Sequence, residues 1–366
     1  MKLEFNRDDL LKPLTHVCSV VERRQSSPIL SNLLVKVAGQ QLTMLGTDLE
    51  VEMIAKSQVN ADAEGEFTIP ARKFFDICRA LPDGAKLTVQ VDNDKAVIRS
   101  GRSRYTLATL PSNEFPQSED ISSECEISLT QTKLKQLIEQ TQFSMAQQDV
   151  RYYLNGLLLD ITADTLRSVA TDGHRLALAE ISETTQLDDP VQIIVPRKGV
   201  AELLKLLEDS DQLAVLNIGS NHIKVTLPDI VFTSKLIEGK FPDYNQVLPA
   251  GNTSELVVSR ETLRSAFQRA SVLSNEKYRG MRLSLATNLL KATIHNPEQE
   301  EAEEEIEVQY SADEFEIGFN VAYFLDVLNN LKTDEVSIMF KDANSSCLIT
   351  GVGEDVSKYV IMPMRL

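Results

Sequence analysis

The feature that most constrains this chain is internal repetition. Helical patterns open after Pro70, Pro196 and Asn320, at Ala71 to Leu81, Lys198 to Leu207 and Val321 to Leu331. The separations are 126 residues (196 − 70) and 124 residues (320 − 196). A period of that size is the length of a small domain, so the 366 residues read as three copies of one fold.

Each copy has the same internal order. Residues 2 to 5 alternate as a short strand, and Asn6 is placed to cap a helix carrying Leu10, Leu11 and Leu14, which Pro13 should end or bend early. Strands follow at Ile29 to Val37, Gln41 to Leu45 and Val51 to Ala55, rich in β-branched and apolar residues. The pattern restarts at Phe67 to Ile69, and after its helix come strands at Lys86 to Val91, Ala96 to Arg99 and Arg104 to Leu110. A second copy opens at Cys125 to Leu129 with a helix capped by Thr130, its Leu134, Leu137 and Ile138 turned inward. The third opens at Leu256 to Val258, with Ser259 as N-cap and Leu263, Ala266, Phe267 and Ala270 on one helical face. The expected fold class is therefore α+β: three repeated domains, each two βαβββ units, with two helices on one face of the sheets and edge strands left for neighbours to extend. Polar stretches at Glu119 to Glu124 and Pro249 to Thr253 place the domains at 1–121, 122–250 and 251–366.

Composition narrows the function. Cys18, Cys78, Cys125 and Cys347 are isolated, and His16, His174, His222 and His295 are scattered, so neither a metal nor a cofactor is expected. The first residues lack the pattern of a signal peptide and no run of 18 apolar residues follows, which points to a cytoplasmic protein with no membrane partner. A net charge of −17 opposes a polyanionic partner at long range. Much of that excess is local, because six carboxylates crowd the stretch from Glu298 to Glu305. Two sets of helical residues are locally basic: Arg72, Lys73 and Arg79 against Asp76, and Arg197, Lys198 and Lys205 against Glu202 and Glu208.

Between two apolar runs stand Thr171, Asp172, Gly173, His174, Arg175 and Leu176, where Asp172 and Gly173 signal a two-residue hairpin. A hydrolase using Asp172 and His174 is an alternative, but no Ser or Cys nucleophile accompanies the pair. Gly351 and Gly353 fall short of a nucleotide-binding fingerprint. A scaffold that binds peptides and never touches DNA is a third reading, favoured by the acidic balance.

Taken together, Pro70 to Cys78, Ser100 to Arg104, Gln148 to Asn155, Thr171 to Ala177, Val195 to Gly199, Phe241 to Tyr244, Asn296 to Glu305 and Tyr359 to Leu366 carry a resemblance over the whole chain. The chain resembles the bacterial sliding clamps, the beta subunits of DNA polymerase III. The resemblance implies a non-catalytic processivity factor, a head-to-tail homodimeric ring around duplex DNA with helices lining the hole and sheet outside. It places DNA contacts without sequence preference on Arg24, Arg72, Gln148, Tyr152 and Tyr153. It places a groove for short apolar peptides at Leu154, Thr171, Gly173, His174, Arg175, Leu176, Pro242, Gln246, Val247, Asn344, Ser346, Val360, Met362, Pro363 and Met364. Gln246 stands where the best-known relative has Arg, and Asn344 where it has Val, so peptide selection is expected to differ. Val360, Met362 and Met364 would alternate onto one face of an edge strand, with Pro363 suited to an edge. The dimer joint would set Lys95, Arg99, Arg102 and Arg104 against Glu298, Glu300, Glu301 and Glu304, around an apolar centre of Tyr105, Leu107, Val272 and Leu273. The implied partners are a second copy, duplex DNA, the replicative polymerase alpha subunit, the clamp loader, and other polymerases and repair proteins carrying clamp-binding peptides.

Overall fold

Strand leads into helix with no loop between them throughout the chain. In the computed structural model, which describes residues 1–22, 27–117, 123, 125–185, 187–275, 279–354 and 356–365, helices α1 (Arg7–Ser19), α2 (Ala71–Ala80), α3 (Gln131–Glu139), α4 (Arg197–Leu206), α5 (Arg260–Ala270) and α6 (Val321–Asn330) each begin on the residue after a strand. The order strand, helix, three strands occurs twice in every repeat, as the periodicity implies, with one addition, the two-residue strand Asn60–Ala61. Ser259 caps α5 by accepting from the Thr262 N–H at 3.4 Å, and Asn320 caps α6 through Ala322 at 3.0 Å. Thr130 does the same for α3 through Lys133 at 3.4 Å.

Three expectations are corrected here. Asn6 makes no side-chain cap bond, and α1 runs through Pro13 to Ser19. Proline removes the donor that the Asp9 carbonyl would receive, but Asp9 and Pro13 both line an open polar cleft with Lys12 and His16. Leu10, Leu14, Val17 and Cys18 hold the helix from its buried side. Ile29 is not yet strand: Pro28–Ser31 forms a short 3-10 turn and the strand starts at Asn32.

The described chain divides into two compact units that cut across the repeats. The first joins Met1–Leu134 to Lys198–Leu236. Its five-stranded sheet runs Asn60–Ala61, Lys2–Asn6, Lys86–Asp92, Lys95–Ser100, Ser103–Ala108. Its eight-stranded sheet runs Cys125–Thr130, Leu213–Ile218, His222–Thr226, Ile230–Lys235, Val51–Gln58, Gln41–Thr47, Asn32–Ala38, Gly65–Pro70. In it, Ile230–Lys235 of the second repeat lies antiparallel to Val51–Gln58 of the first, with Phe232 opposite Met53. Leu10, Leu14, Val17, Phe74 and Cys78 from α1 and α2 bury against Leu3, Leu33, Met44, Ile69 and Ile98.

The second unit joins Lys135–Arg197 to Ile237–Leu366. Its eight-stranded sheet runs Val191–Pro196, Gly156–Ile161, Thr165–Thr171, Arg175–Ser182, Ser357–Ile361, Cys347–Gly351, Glu335–Phe340, Ser254–Ser259. The strand Arg175–Ser182 pairs with Ser357–Ile361, Leu176 facing Val360. The C-terminal strand is therefore internal, with Cys347–Gly351 on its other side, and not the edge expected from the sequence. Pairing with the neighbouring repeat uses up the edge. A four-stranded sheet runs Glu301–Glu307, Leu289–His295, Gly280–Ala286, Phe315–Asn320. Phe267, Phe319, Phe324 and Phe340 stack edge-on or tilted beneath it at 5.2 to 6.4 Å between ring centres.

Candidate functional site

The turn at Asp172 is wider than a two-residue hairpin. The last ladder pair is Thr171 opposite Leu176, leaving Asp172, Gly173 and His174 outside the strands. Side chains, not ladder bonds, shape it. The Asp172 carboxylate accepts from the backbone N–H of His174 at 2.9 Å and of Arg175 at 3.0 Å. Thr171 donates its hydroxyl to the Arg175 carbonyl at 2.6 Å and accepts from the Gly173 N–H at 3.1 Å. Gly173 sits at φ 88°, where a side chain would be strained. No nucleophile approaches the pair Asp172 and His174 in these bonds, whose work is to hold a turn.

Alternation along the next strand sends its residues to two sides. Leu176 and Leu178 join Leu154, Leu158, Val169, Phe241, Tyr244 and Val360 in one buried apolar cluster, with Val247 partly buried against it. Arg175 goes the other way. Its guanidinium bonds Asp172 at 3.1 Å, Asp326 at 2.5 Å and the Phe143 carbonyl at 2.7 Å, and lies 4.4 Å from the Tyr323 ring centre. Arg175 thus pins the turn to α6, while its neighbour Leu176 enters the apolar cluster. Burial, reinforced by the charge of Asp172, pushes the Tyr323 hydroxyl up.

The remaining groove candidates are mostly at the surface. Pro242, Gln246, Asn344 and His174 are exposed, and Ser346 is half-buried. Gln246 donates to Asp243 at 2.9 Å, while the Ser346 carbonyl accepts from Asn252 at 3.0 Å. Asn344 is tied by its N–H to Asp342 at 2.8 Å. Past the last strand, the Met362 N–H donates to the His174 carbonyl at 2.9 Å and the Met364 N–H to Gly318 at 2.8 Å, with Pro363 between them. Both methionines stay 40% exposed beside the apolar cluster's Val360, flexible side chains suited to varied ligands. Below, Tyr244 donates to the buried Asp160 at 2.5 Å, and burial with that carboxylate pushes its own hydroxyl up to about 12.

Of the DNA-contact candidates, Arg24 lies outside the described residues. Arg72 is exposed on α2 and bonds the Val21 carbonyl at 3.0 Å. Gln148, Tyr152 and Tyr153 share one loop, the two rings edge to face at 5.8 Å. The cations of α4 are engaged within the chain: Lys198 pairs with Glu22 and Asp48, Lys205 with Glu202 at 2.7 Å, and Arg197 bonds the Met145 carbonyl at 3.0 Å. Their contribution to a basic surface is smaller than the sequence implies.

The proposed joint residues lie on or near two outer strands, with Val272 and Leu273 in the short turn Ser271–Leu273 after α5. Ser103–Ala108 ends the five-stranded sheet, carrying exposed Arg104 and half-buried Tyr105 and Leu107 beside Lys95 and Arg99 of the next strand, with Arg102 in the connecting turn. Glu301–Glu307 ends the four-stranded sheet, with Glu298 and Glu300 just before it. Glu304 already pairs with Arg269 of α5 at 2.5 Å, which holds its carboxyl below the usual range. Val272 is 78% exposed, and Leu273 packs partly against the core.

Three family models match in sequence: DNA polymerase III beta subunit, N-terminal domain, over residues 1–119, its central domain over 128–243 and its C-terminal domain over 245–365. The chain belongs to the DNA polymerase III beta subunit family. It is 53% identical to the beta sliding clamps of Pseudomonas putida and Vibrio cholerae and 50% identical to that of Escherichia coli, with all of both chains covered in each case. Among solved structures, the beta subunit of Pseudomonas aeruginosa matches at a TM-score of 0.97 and 50% identity over both full chains, and a sliding clamp of that organism bound to griselimycin at 0.97 and 51%, again over both. As a family member this chain is a sliding clamp, a processivity subunit and not a catalytic one. Among its described residues no cluster of metal-ligating side chains occurs and no helix is long and apolar enough to cross a membrane.

Sequence reading missed two groups around the clamp's turn. Asp326 and Tyr323, which anchor Arg175, lie on α6, some 150 residues away in sequence, and nothing local signals the pairing. Arg151 and Asp149 stand inside the quoted stretch Gln148 to Asn155, where an Asp two residues before an Arg was the available signal.

Proposed function

We propose that two copies of this chain close head to tail into a ring around duplex DNA and tether replication partners through the groove beside the Asp172 turn. The three domains at 1–121, 122–250 and 251–366 form half the ring. Ser103–Ala108 of one copy meets Glu301–Glu307 of the other, which removes both exposed edges. Arg24, Arg72, Gln148, Tyr152 and Tyr153 face the phosphate backbone, and none of them reads bases. Such weak contacts leave the ring free to slide, while closure supplies retention.

The observation that carries the groove reading is the gathering of Leu154, Leu176 and Val360 into one apolar cluster, with Met362 and Met364 exposed beyond it. A peptide burying two or three apolar side chains there gains about 1.5 to 3 kcal/mol from each, less the cost of ordering. The replicative polymerase alpha subunit, the clamp loader, and other polymerases and repair proteins carrying clamp-binding peptides would use this site in turn, the polymerase-derived peptides having Gln near the start and Leu and Phe near the end. Lifetime on DNA tests the ring. Clamp loaded on nicked circles should persist, and cutting the circle should release it from the ends. Equal lifetimes before and after linearisation would refute encirclement.

A further inference from the structure

Residues 147 to 152 leave the apolar cluster at Ala146 and the chain rejoins it at Tyr153 and Leu154, and the Ala146 N–H donates to the Leu154 carbonyl at 2.9 Å, closing the base of the excursion. The tip is open to solvent, with Val150 95% and Tyr152 57% exposed. Gln148 takes a left-handed conformation at φ 56°. No strand ladder holds this segment; backbone bonds close a short 3-10 turn at Tyr152–Leu154, from the Leu154 N–H to Arg151 at 2.8 Å and from the Asn155 N–H to Tyr152 at 3.0 Å, and side chains tie the rest. Asn155 accepts from the Asp149 N–H and donates to the Asp149 carbonyl, both at 2.9 Å. Arg151 grips the two carboxylate oxygens of Asp149 at 3.0 and 2.8 Å, which pulls that carboxyl down to about 2.

The same guanidinium reaches the turn. It bonds the Asp172 carbonyl at 3.4 Å and fills the space over Gly173, where a methyl group would meet its nitrogens at 2.9 and 3.0 Å. The loop proposed to touch DNA and the turn proposed to border the groove therefore interlock through one side chain, and glycine at 173 is what leaves room for it.

We propose that Arg151 is a positioning residue that couples the two ligand sites, so that duplex DNA on the 147–152 loop and an apolar peptide beside Leu176 each tighten binding of the other. This rests on the assignment of those two sites in the preceding section. A duplex resting on Gln148 and Tyr152 orders the loop and with it the planar fork over Gly173. A peptide against Leu154 and Leu176 restrains the same loop end and the same turn. Whichever ligand binds first bears the ordering cost, and the second is spared it. Lysine at 151 keeps the charge for phosphate but cannot make the two-pronged contact or cover the glycine.

The test is a peptide titration by fluorescence anisotropy on the full-length protein, using a labelled peptide with Gln, Leu and Phe, with and without a saturating short linear duplex at low salt. For the wild type the peptide Kd should fall about fivefold on adding duplex, and the duplex Kd by the same factor on adding peptide, because coupling is reciprocal. R151K should bind each ligand yet show no such change, and D149N, which loosens the latch from its other end, should match it. Urea midpoints equal to wild type establish that both variants are folded. Peptide affinity indifferent to duplex in the wild type, or coupling retained in R151K, overturns the proposal while leaving the two sites standing. A wild type that binds no peptide or no duplex overturns the site assignment itself, and the coupling with it.

Discussion

Arg175 shows how one residue's role turns on the face of a strand. Its neighbours Leu176 and Leu178 enter the apolar cluster, while the guanidinium of its side chain, which is only 11% exposed, serves Asp172, Asp326 and the Phe143 carbonyl. Truncation leaves those partners without their donor in a partly buried place. R175A should lower stability by about 2 to 4 kcal/mol, read as a drop in urea midpoint. R175K should recover less than half of that loss, since one ammonium cannot serve three acceptors set out for a planar fork. An R175A protein with the wild-type midpoint would refute this anchoring role. Leu154, Leu176 and Val360 take their assignment to a groove from the family resemblance alone; that they bury, being apolar, was legible. The direction of Arg175 was not, because its partners Tyr323 and Asp326 belong to another repeat.

At the scale of elements, the tail behaves differently from a simple terminal strand. Ser357–Ile361 is held on both sides, so removing Met362 to Leu366 leaves the ladder whole and takes away the bonds from Met362 to His174 and from Met364 to Gly318. Deletion of Met362 to Leu366 should therefore weaken peptide binding at least tenfold, about 1.4 kcal/mol or more, with the melting temperature nearly unchanged. Anisotropy beside calorimetry checks both halves. Peptide binding that survives the deletion would place the partner site elsewhere. Helix α1 teaches a related lesson, since the local rule that proline ends a helix was outweighed by four buried side chains.

For the whole molecule, the acid run from Glu298 to Glu305 has less free charge than its composition implies. Glu304 is paired with Arg269, Glu303 with Lys291 at 2.6 Å, and His295 lies 3.5 Å from Glu301. Exposed ion pairs contribute only about 0 to 1 kcal/mol each, so the apolar residues should dominate the proposed joint. Val272, exposed in the single chain, has the most to gain from a partner. V272A combined with L273A should shift sedimentation at low concentration from dimer to monomer while peptide affinity stays within about twofold, because the sites are independent. A dimer that persists in the double variant would refute this joint.

The repeat period and the βαβββ order were determined by the sequence itself, because periodicity and burial are local demands that each segment meets alone. Tertiary structure decided the rest. Two compact units run across the repeat boundaries because strands pair most completely when one repeat extends the sheet of the next: Ile230–Lys235 beside Val51–Gln58, and Arg175–Ser182 beside Ser357–Ile361. That pairing makes the last strand internal, turns Arg175 toward α6 and brings Arg151 over Gly173. Hydrogen-bond partners in long-range ladders and forked ion pairs are chosen by proximity in space, which no single stretch of this chain encodes.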